Sequence, residues 1–200
     1  MLGTGNDIVS LAAINVERTN QPNFYSKILP PSEKQLYSTL HLQLPFENFV
    51  WLAWSVKESA YKFLKRFMPD LGFSPAKIVI TKLEPGSDGY NGTVQFDIHQ
   101  LHFRTVITED YIFSVVNFRD DFTDTRWGIE QIDSSHHADQ SLEVRKLLLR
   151  ELNELQPGNN FTIDKSPGGW PVILKNDQEI SMPVSLAHHD RYVAYSFQIK

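Results

Sequence analysis

The chain has 200 residues, 41% of them hydrophobic and 22% charged, a balance typical of a globular protein that buries a real core. It contains no cysteine, which excludes disulfides, thiolate metal sites and a cysteine nucleophile. The net charge of −5 argues against a general nucleic-acid binder, because such proteins usually carry a basic excess.

The first residues and the apolar stretches of the chain indicate where in the cell we expect the protein. Residues 1–7 have neither a basic segment nor the apolar run that follows it in a signal peptide. The most apolar window, residues 49–54, is far too short to span a membrane. We therefore expect no membrane partner and a cytoplasmic location.

The first forty residues predict a short strand or turn over 3–14 and then a short helix. Asp7 stands just before an apolar pair, a position where aspartate is commonly a turn or cap residue. The run Pro30-Pro31-Ser32-Glu33 predicts the start of the helix, with Ser32 as its N-cap.

The strongest element is an amphipathic helix from about residue 46 to 67, ended by Met68-Pro69. Its apolar residues recur every three or four positions. Glu58 and Lys62 lie one turn apart on the same face, with Trp54 one turn before Glu58. The pair is either an ordinary surface ion pair, or a metal ligand next to a phosphate clamp.

The same segment is locally basic, against the net charge of the chain. Four cations occur within ten residues: Lys57, Lys62, Lys65 and Arg66. They form either a solvated helix face or a surface that meets phosphate or carboxylate groups.

After Gly72 the pattern changes to short β-rich runs. The predicted strands are residues 77–81, 93–98, 103–107 and 111–118, the last nearly all apolar and therefore central. Residues 119–140 are rich in Asp, Thr and Ser and predict a linker. Their His136-His137 pair resembles a fragment of a zinc site, but a loop is favoured because no third ligand is near.

A second helix is predicted over residues 141–155, with Ser141 as a cap and Pro157-Gly158 as its end. Strands are predicted over residues 160–163, 172–175, 184–187 and 192–199.

The two parts of the chain echo each other. Each has a long helix, a Ser-Pro entry into strands, and a closing apolar strand that follows an acid and a tyrosine. The echo predicts an α+β protein of two pseudo-twofold-related halves, 1–118 and 141–200, within one compact unit over 1–200. Each half would pack its long helix on a small, mostly antiparallel sheet, with any site in the cleft between them.

Three motifs stand in order along the chain: Gly5-x-Asp7-Ile8, Trp54-x-x-Lys57-Glu58-x-x-x-Lys62 and Val184-Ser185-Leu186-x-His188. Together they resemble the marks of the 4'-phosphopantetheinyl transferase superfamily, and the resemblance covers most of the chain. It implies a 4'-phosphopantetheinyl transferase-like fold. It also implies Mg²⁺-dependent transfer of the phosphopantetheine arm of coenzyme A to a serine of an apo acyl or peptidyl carrier protein.

The resemblance also implies roles for individual residues. Asp7 and Glu58 would bind Mg²⁺ with the pyrophosphate oxygens, hard ligands that suit this ion. Glu58, directly or through a metal-bound water, would take the serine proton, and Lys62 would hold the phosphates. His188 would contact the 3'-phosphate or pyrophosphate of coenzyme A, with His189 as the alternative histidine.

The basic residues Lys57, Lys65 and Arg66 would meet an acidic carrier protein, and Lys57 is also a candidate for binding coenzyme A. The chain departs from the family pattern at three positions. Val9 replaces a third acid, Ala187 replaces a serine, and Trp170 replaces the lysine of a Gly-Lys-Pro motif. The last change removes one expected phosphate contact, which Lys165 or Lys175 would have to supply.

The order of the motifs is that of the short holo-acyl-carrier-protein synthase type, although the chain has the double length of the longer type. We expect a monomer with one site between its halves. Two alternatives stay open: a degenerate relative that binds coenzyme A or a carrier protein without transfer, and a non-enzymatic α+β interaction protein.

Overall fold

The computed structural model describes residues 3–40 and 44–199, which form a mixed α+β structure. The helices are α1 (Val16–Thr19), α2 (Pro22–Tyr25), α3 (Pro31–Thr39), α4 (Phe46–Lys65) and α5 (His137–Leu155), with 3-10 turns at Leu11–Ala13 and Pro75–Lys77. The strands are β1 (Thr4–Ser10), β2 (Val79–Pro85), β3 (Tyr90–Phe96), β4 (His99–Ile107), β5 (Tyr111–Asn117), β6 (Thr125–Gln131), β7 (Phe161–Lys165), β8 (Pro171–Lys175), β9 (Gln178–Ile180), β10 (Val184–His189) and β11 (Tyr192–Gln198). The predicted α+β class is confirmed.

The first part of the chain packs α4 on a five-stranded sheet of order β1-β5-β4-β3-β2, with antiparallel neighbours throughout. The apolar face of α4 is fully buried at Phe49, Val56 and Phe63, as its periodicity predicts. On the sheet side, β5 is buried at six of its seven positions. The predicted central strand is thus confirmed.

The second part packs α5 on two three-stranded antiparallel sheets, of order β10-β11-β6 and β7-β8-β9. Its core contains Val144, Leu148 and Leu152 of α5 against Val193 and Phe197 of β11. Each part therefore has one long helix on antiparallel strands, as predicted. The pseudo-twofold relation between the parts stays a prediction.

Strand β1 joins the two parts and is buried along its whole length. One edge pairs with β5, and the other edge lies against β10. There the backbone N–H of Asn6 donates to Ser185 Oγ at 3.1 Å and that of Ser10 to His189 Nδ1 at 2.9 Å. Two side chains of β10 thus satisfy backbone donors that a neighbouring strand would otherwise satisfy.

Several elements differ from the prediction, as α3, α5 and the predicted linker illustrate. Pro30, not Ser32, is the N-cap of α3, since the helix already begins at Pro31; proline is well suited to a first helical position because its missing N–H is not needed there. Helix α5 begins at His137, so Ser141 lies inside it. The predicted linker 119–140 contains the whole of β6, whose strand pattern is hidden by the polar residues around it.

No helix within 3–40 or 44–199 combines the length and apolar character that crossing a membrane requires.

Candidate active site

The site begins with a close approach of β1 to α4. A Cβ atom on Gly5 would lie 2.0 Å from the carbonyl oxygen of Ser59 and 2.9 Å from the backbone nitrogen of Phe63. Only glycine therefore allows this contact without moving the helix. The glycine of the Gly-x-Asp motif thus lets β1 bring Asp7, two residues later, against Lys62 of α4.

Lys62 lies between the two carboxylates that the motifs single out. Its Nζ is 3.0 Å from Asp7 Oδ1 and 3.4 Å from Glu58 Oε1, and it donates to the carbonyl of Asn6 at 3.1 Å. The Asp7 side chain is 7% exposed, whereas those of Lys62 and Glu58 are 25% and 28% exposed. The cluster thus has a buried floor at Asp7 and an open side at Glu58 and Lys62.

The electrostatics of the cluster are dominated by the burial of Asp7. Burial raises the pKa of the Asp7 carboxyl from 3.8 to about 7, although Lys62 pulls this pKa down and Glu58 pushes it further up. Burial lowers the pKa of Lys62, but the two carboxylates together outweigh it and raise this pKa above 10.5. The ionised form of Asp7 therefore depends on a nearby cation.

Asp7 and Glu58 also have the chemistry to hold a magnesium ion. Both offer carboxylate oxygens, and Mg²⁺ is usually bound by one or two carboxylates together with substrate phosphates and water. A divalent ion would offset the cost of burying the Asp7 charge, so the residues fit it. No group of three or more His, Asp or Glu ligands occurs in the described ranges, and substrate oxygens would have to complete the shell.

The structure brings His188 to the same place, on β10. Its ring is half-buried and meets the ring of His137 edge-on, with centroids 4.9 Å apart. Burial lowers the pKa of His188, and the charges of His137 and Lys62 lower it further, whereas Glu58 raises it. His137 was not predicted as a neighbour, because nothing in a polar stretch ties it to β10.

His189 has a different task from His188. Its Nδ1 accepts the backbone N–H of Ser10, so this ring holds β1 against β10. Burial lowers the pKa of His189 and favours the neutral ring that this hydrogen bond needs. Of the two candidate histidines, His188 is the one whose ring remains available at the cluster.

The prediction that Lys57 binds coenzyme A or a carrier protein is wrong. Its side chain is 0% exposed, with Nζ 2.7 Å from Glu33 Oε2 and 2.5 Å from the carbonyl oxygen of Ile28. Glu33 is equally buried and accepts the backbone N–H of Ile80 at 2.6 Å. This ion pair ties α4 to α3 and β2, on the side of α4 that faces the core.

The other predicted cations are placed differently. Lys65 donates to the carbonyls of Pro69 and Leu71 beyond the end of α4, and Arg66 donates to the carbonyl of Val184. Burial lowers the pKa of Arg66 to about 10, so the guanidinium stays charged at neutral pH. Lys165 is exposed on β7 and does not line the cavity next to Lys62.

Two cavities flank the cluster along α4. The Trp54 cavity, of about 370 Å³, lies before Glu58 and is lined by Arg18, Phe24, Lys27, Trp51, Trp54 and His189 among others. The Trp170 cavity, of about 310 Å³, lies after Glu58 and is lined by Tyr61, Lys62, Arg66, Trp170, Ser185 and Leu186 among others.

The lining residues of the two cavities show that α4 and β10 run in opposite directions past the cluster. As α4 passes from Trp54 to Arg66, β10 passes back from His189 to Val184. The cluster of Asp7, Glu58 and Lys62 therefore lies between the two cavities along α4, and Lys62 also lines the Trp170 cavity. Neither cavity follows from spacing in the sequence, because each combines segments that are far apart in the chain.

Comparison with known protein families identifies the class of this protein. The family model of the 4'-phosphopantetheinyl transferase superfamily matches residues 3–116, more than half of the chain. This protein belongs to that superfamily. The match includes Asp7, Glu58 and Lys62 but ends before β10. No curated protein and no solved structure matched the chain.

Proposed function

We propose that this protein transfers the 4'-phosphopantetheine arm of coenzyme A to a serine of an apo carrier protein. The observation that carries the proposal is the cluster of Asp7, Glu58 and Lys62 between two cavities, in a chain of this superfamily. A donor and an acceptor that occupied one cavity each would meet at Glu58.

The transfer is an attack on the pyrophosphate of coenzyme A. The serine oxygen forms a bond to the phosphorus that carries the pantetheine arm, and the bond from this phosphorus to the bridging oxygen breaks. The leaving group is adenosine 3',5'-bisphosphate. Glu58, directly or through a water, takes the serine proton, since it is the more exposed carboxylate of the cluster.

Lys62 and Asp7 support this step in different ways. Lys62 presents its ammonium group at the open side of the cluster, where it would hold phosphate oxygens and stabilise the charge of the leaving group. Asp7 and Glu58 would hold Mg²⁺ together with pyrophosphate oxygens, and the bound ion would neutralise charge there. His188 would reach the phosphates from β10.

The Trp54 cavity suits the acceptor. Arg18 and Lys27 are exposed at its rim, while Trp54 and Phe24 make part of its lining apolar. An acidic carrier protein would find opposite charge and an apolar anchor there, next to Glu58. This replaces the predicted contact surface of Lys57, Lys65 and Arg66, of which Lys57 is buried.

The direct test is a mass measurement on the carrier. Purified protein with coenzyme A, Mg²⁺ and apo carrier protein is expected to add the mass of phosphopantetheine to the carrier serine. The control replaces that serine with alanine and is expected to gain no mass. If several carriers gain none while coenzyme A still binds, the protein is a degenerate relative and the proposal fails.

A further inference from the structure

The Trp170 cavity combines aromatic rings, which have no part in the proposed transfer step, with positive charge. Aromatic rings of Tyr61 and Trp170 line it, and so do the cations Lys62 and Arg66. Aromatic faces bind planar bases by stacking, and cations bind phosphates. A cavity with both is suited to a planar base that carries phosphate groups.

The position of Trp170 is set by the turn between β7 and β8. The backbone N–H of Ser166 donates to the carbonyl of Trp170 at 2.9 Å, and that of Gly169 donates to the carbonyl of Ser166 at 2.9 Å. Gly169 has φ +89°, a conformation that favours glycine. The half-buried Trp170 ring thus stands on a closed, hydrogen-bonded turn.

Gly168 allows the Trp170 ring to pack closely against the turn. A Cβ atom at this position would lie 2.0 Å from Cζ3 of the Trp170 ring. The ring therefore packs directly on the glycine backbone, and it also forms part of the cavity wall. An aromatic ring fixed in this way loses little freedom when a base stacks on it.

Arg66 supplies positive charge at the same wall. It uses one nitrogen to bind the carbonyl of Val184, while a guanidinium has five N–H donors in all. Lys62 belongs to both the cavity and the reactive cluster. A ligand that filled the cavity would therefore place a phosphate beside Asp7 and Glu58.

The size of the cavity narrows the choice of ligand. About 310 Å³ is at the lower end of small-molecule sites and suits a base with its sugar, not a whole coenzyme A molecule. The pantetheine arm has no aromatic ring and would extend past Lys62 toward Glu58. The nucleotide end is thus the part of the donor that matches an aromatic wall.

We propose that Trp170 is the residue that recognises the adenine base of coenzyme A, by stacking on it within the Trp170 cavity. This inference rests on the proposed function, because it takes coenzyme A as the donor. In this arrangement Trp170 binds the base, and Lys62 and Arg66 bind the phosphates.

The test measures binding of adenosine 3',5'-bisphosphate by calorimetry, which needs no transfer. Trp170→Ala is expected to weaken this binding about tenfold or more, and Trp170→Phe, which keeps an aromatic face, by less than threefold. Binding of inorganic pyrophosphate, which has no base, is expected to be the same in all three proteins. Phe118→Ala, at an exposed aromatic residue that lines neither of these two cavities, is the control and is expected to bind the nucleotide as the wild type does.

Equal nucleotide affinity in Trp170→Ala and wild type overturns the inference, and so does an equal loss of pyrophosphate and nucleotide binding. Absence of any nucleotide binding to the wild type overturns it as well. The inference and the proposed function can fail separately. Transfer without dependence of binding on Trp170 contradicts only the inference, whereas base-dependent binding without transfer to any carrier contradicts only the function.

Discussion

At the scale of single residues, the site depends on the interactions among three neighbouring charged side chains. Asp7 is buried, and its ionised form is balanced by Lys62 at 3.0 Å, while Glu58 lies toward the solvent at 3.4 Å from the same ammonium group. A pyrophosphate that arrived at this cluster would compete with the carboxylates for Lys62. Lys62 is thus the residue of the cluster that both the carboxylates and a bound phosphate would engage.

Lys62→Ala is therefore expected to lower the transfer rate by about 10²–10³-fold, because a preorganised cation opposite developing charge is lost. Lys146→Ala is the matched control, since this lysine is exposed on α5 and paired with Glu143 of the same helix. Mass gain of a carrier protein against time measures the effect. A rate within threefold of wild type in Lys62→Ala would remove Lys62 from the proposed mechanism.

At the scale of elements, the buried pair of Lys57 and Glu33 fixes α4 relative to α3 and β2. Both side chains are 0% exposed, and burial acts in opposite directions on the two groups: it raises the pKa of Glu33 and lowers that of Lys57. Each charge is tolerated in the core because the other is present.

Lys57→Met is expected to lower the free energy of unfolding by about 3–5 kcal/mol, because the Glu33 carboxylate is left buried without its cation. The double variant Lys57→Met/Glu33→Gln is expected to lose less than the sum of the two single variants. Urea unfolding followed by circular dichroism measures these values, with Lys146→Met as the exposed control. Purely additive losses would show that the two residues are not coupled.

The elements also show where a sequence is informative and where it is not. Helix α4 was predicted within two residues of its end because twenty residues repeat one amphipathic pattern. Strand β6 was missed because it lies among Asp, Thr and Ser, which are typical of loops. Lys57 was misplaced because its partner Glu33 lies on a separate element, and spacing along one helix does not reveal which neighbour covers it.

Part of the candidate site could also be predicted from the sequence. Asp7, Glu58, Lys62 and His188 were recognised from motifs, and the structure brings these four together. Ser185 and His189 accept backbone N–H groups of β1, which they can reach because β10 packs against β1. That packing joins positions about 180 residues apart, a relation that local patterns do not contain.

At the scale of the whole molecule, β1 is the element that both parts of the chain share. It pairs with β5, packs under α4 and lies along β10, so the cluster has walls from both parts within one chain. Arg66 of α4 reaches the carbonyl of Val184 across the same junction. One chain thus supplies the residues that the proposed transfer requires.

We therefore predict that the protein is a monomer with one active site. Light scattering in solution is expected to give the mass of one chain, 23.0 kDa, and titration with coenzyme A to give one site per chain. A stable trimer would contradict the account, because it would mean that a neighbouring chain is needed to complete the site.

Glu58 is the base in the proposed transfer of phosphopantetheine. The most direct test compares wild type and Glu58→Gln for mass gain of an apo carrier protein, and for calorimetric binding of coenzyme A to each enzyme. Glu154→Gln, an exposed position on α5, is the control. We predict a rate about 10²–10⁴-fold lower in Glu58→Gln, with the fold intact and the control unchanged. Glu58→Gln that transfers at the wild-type rate would contradict the account.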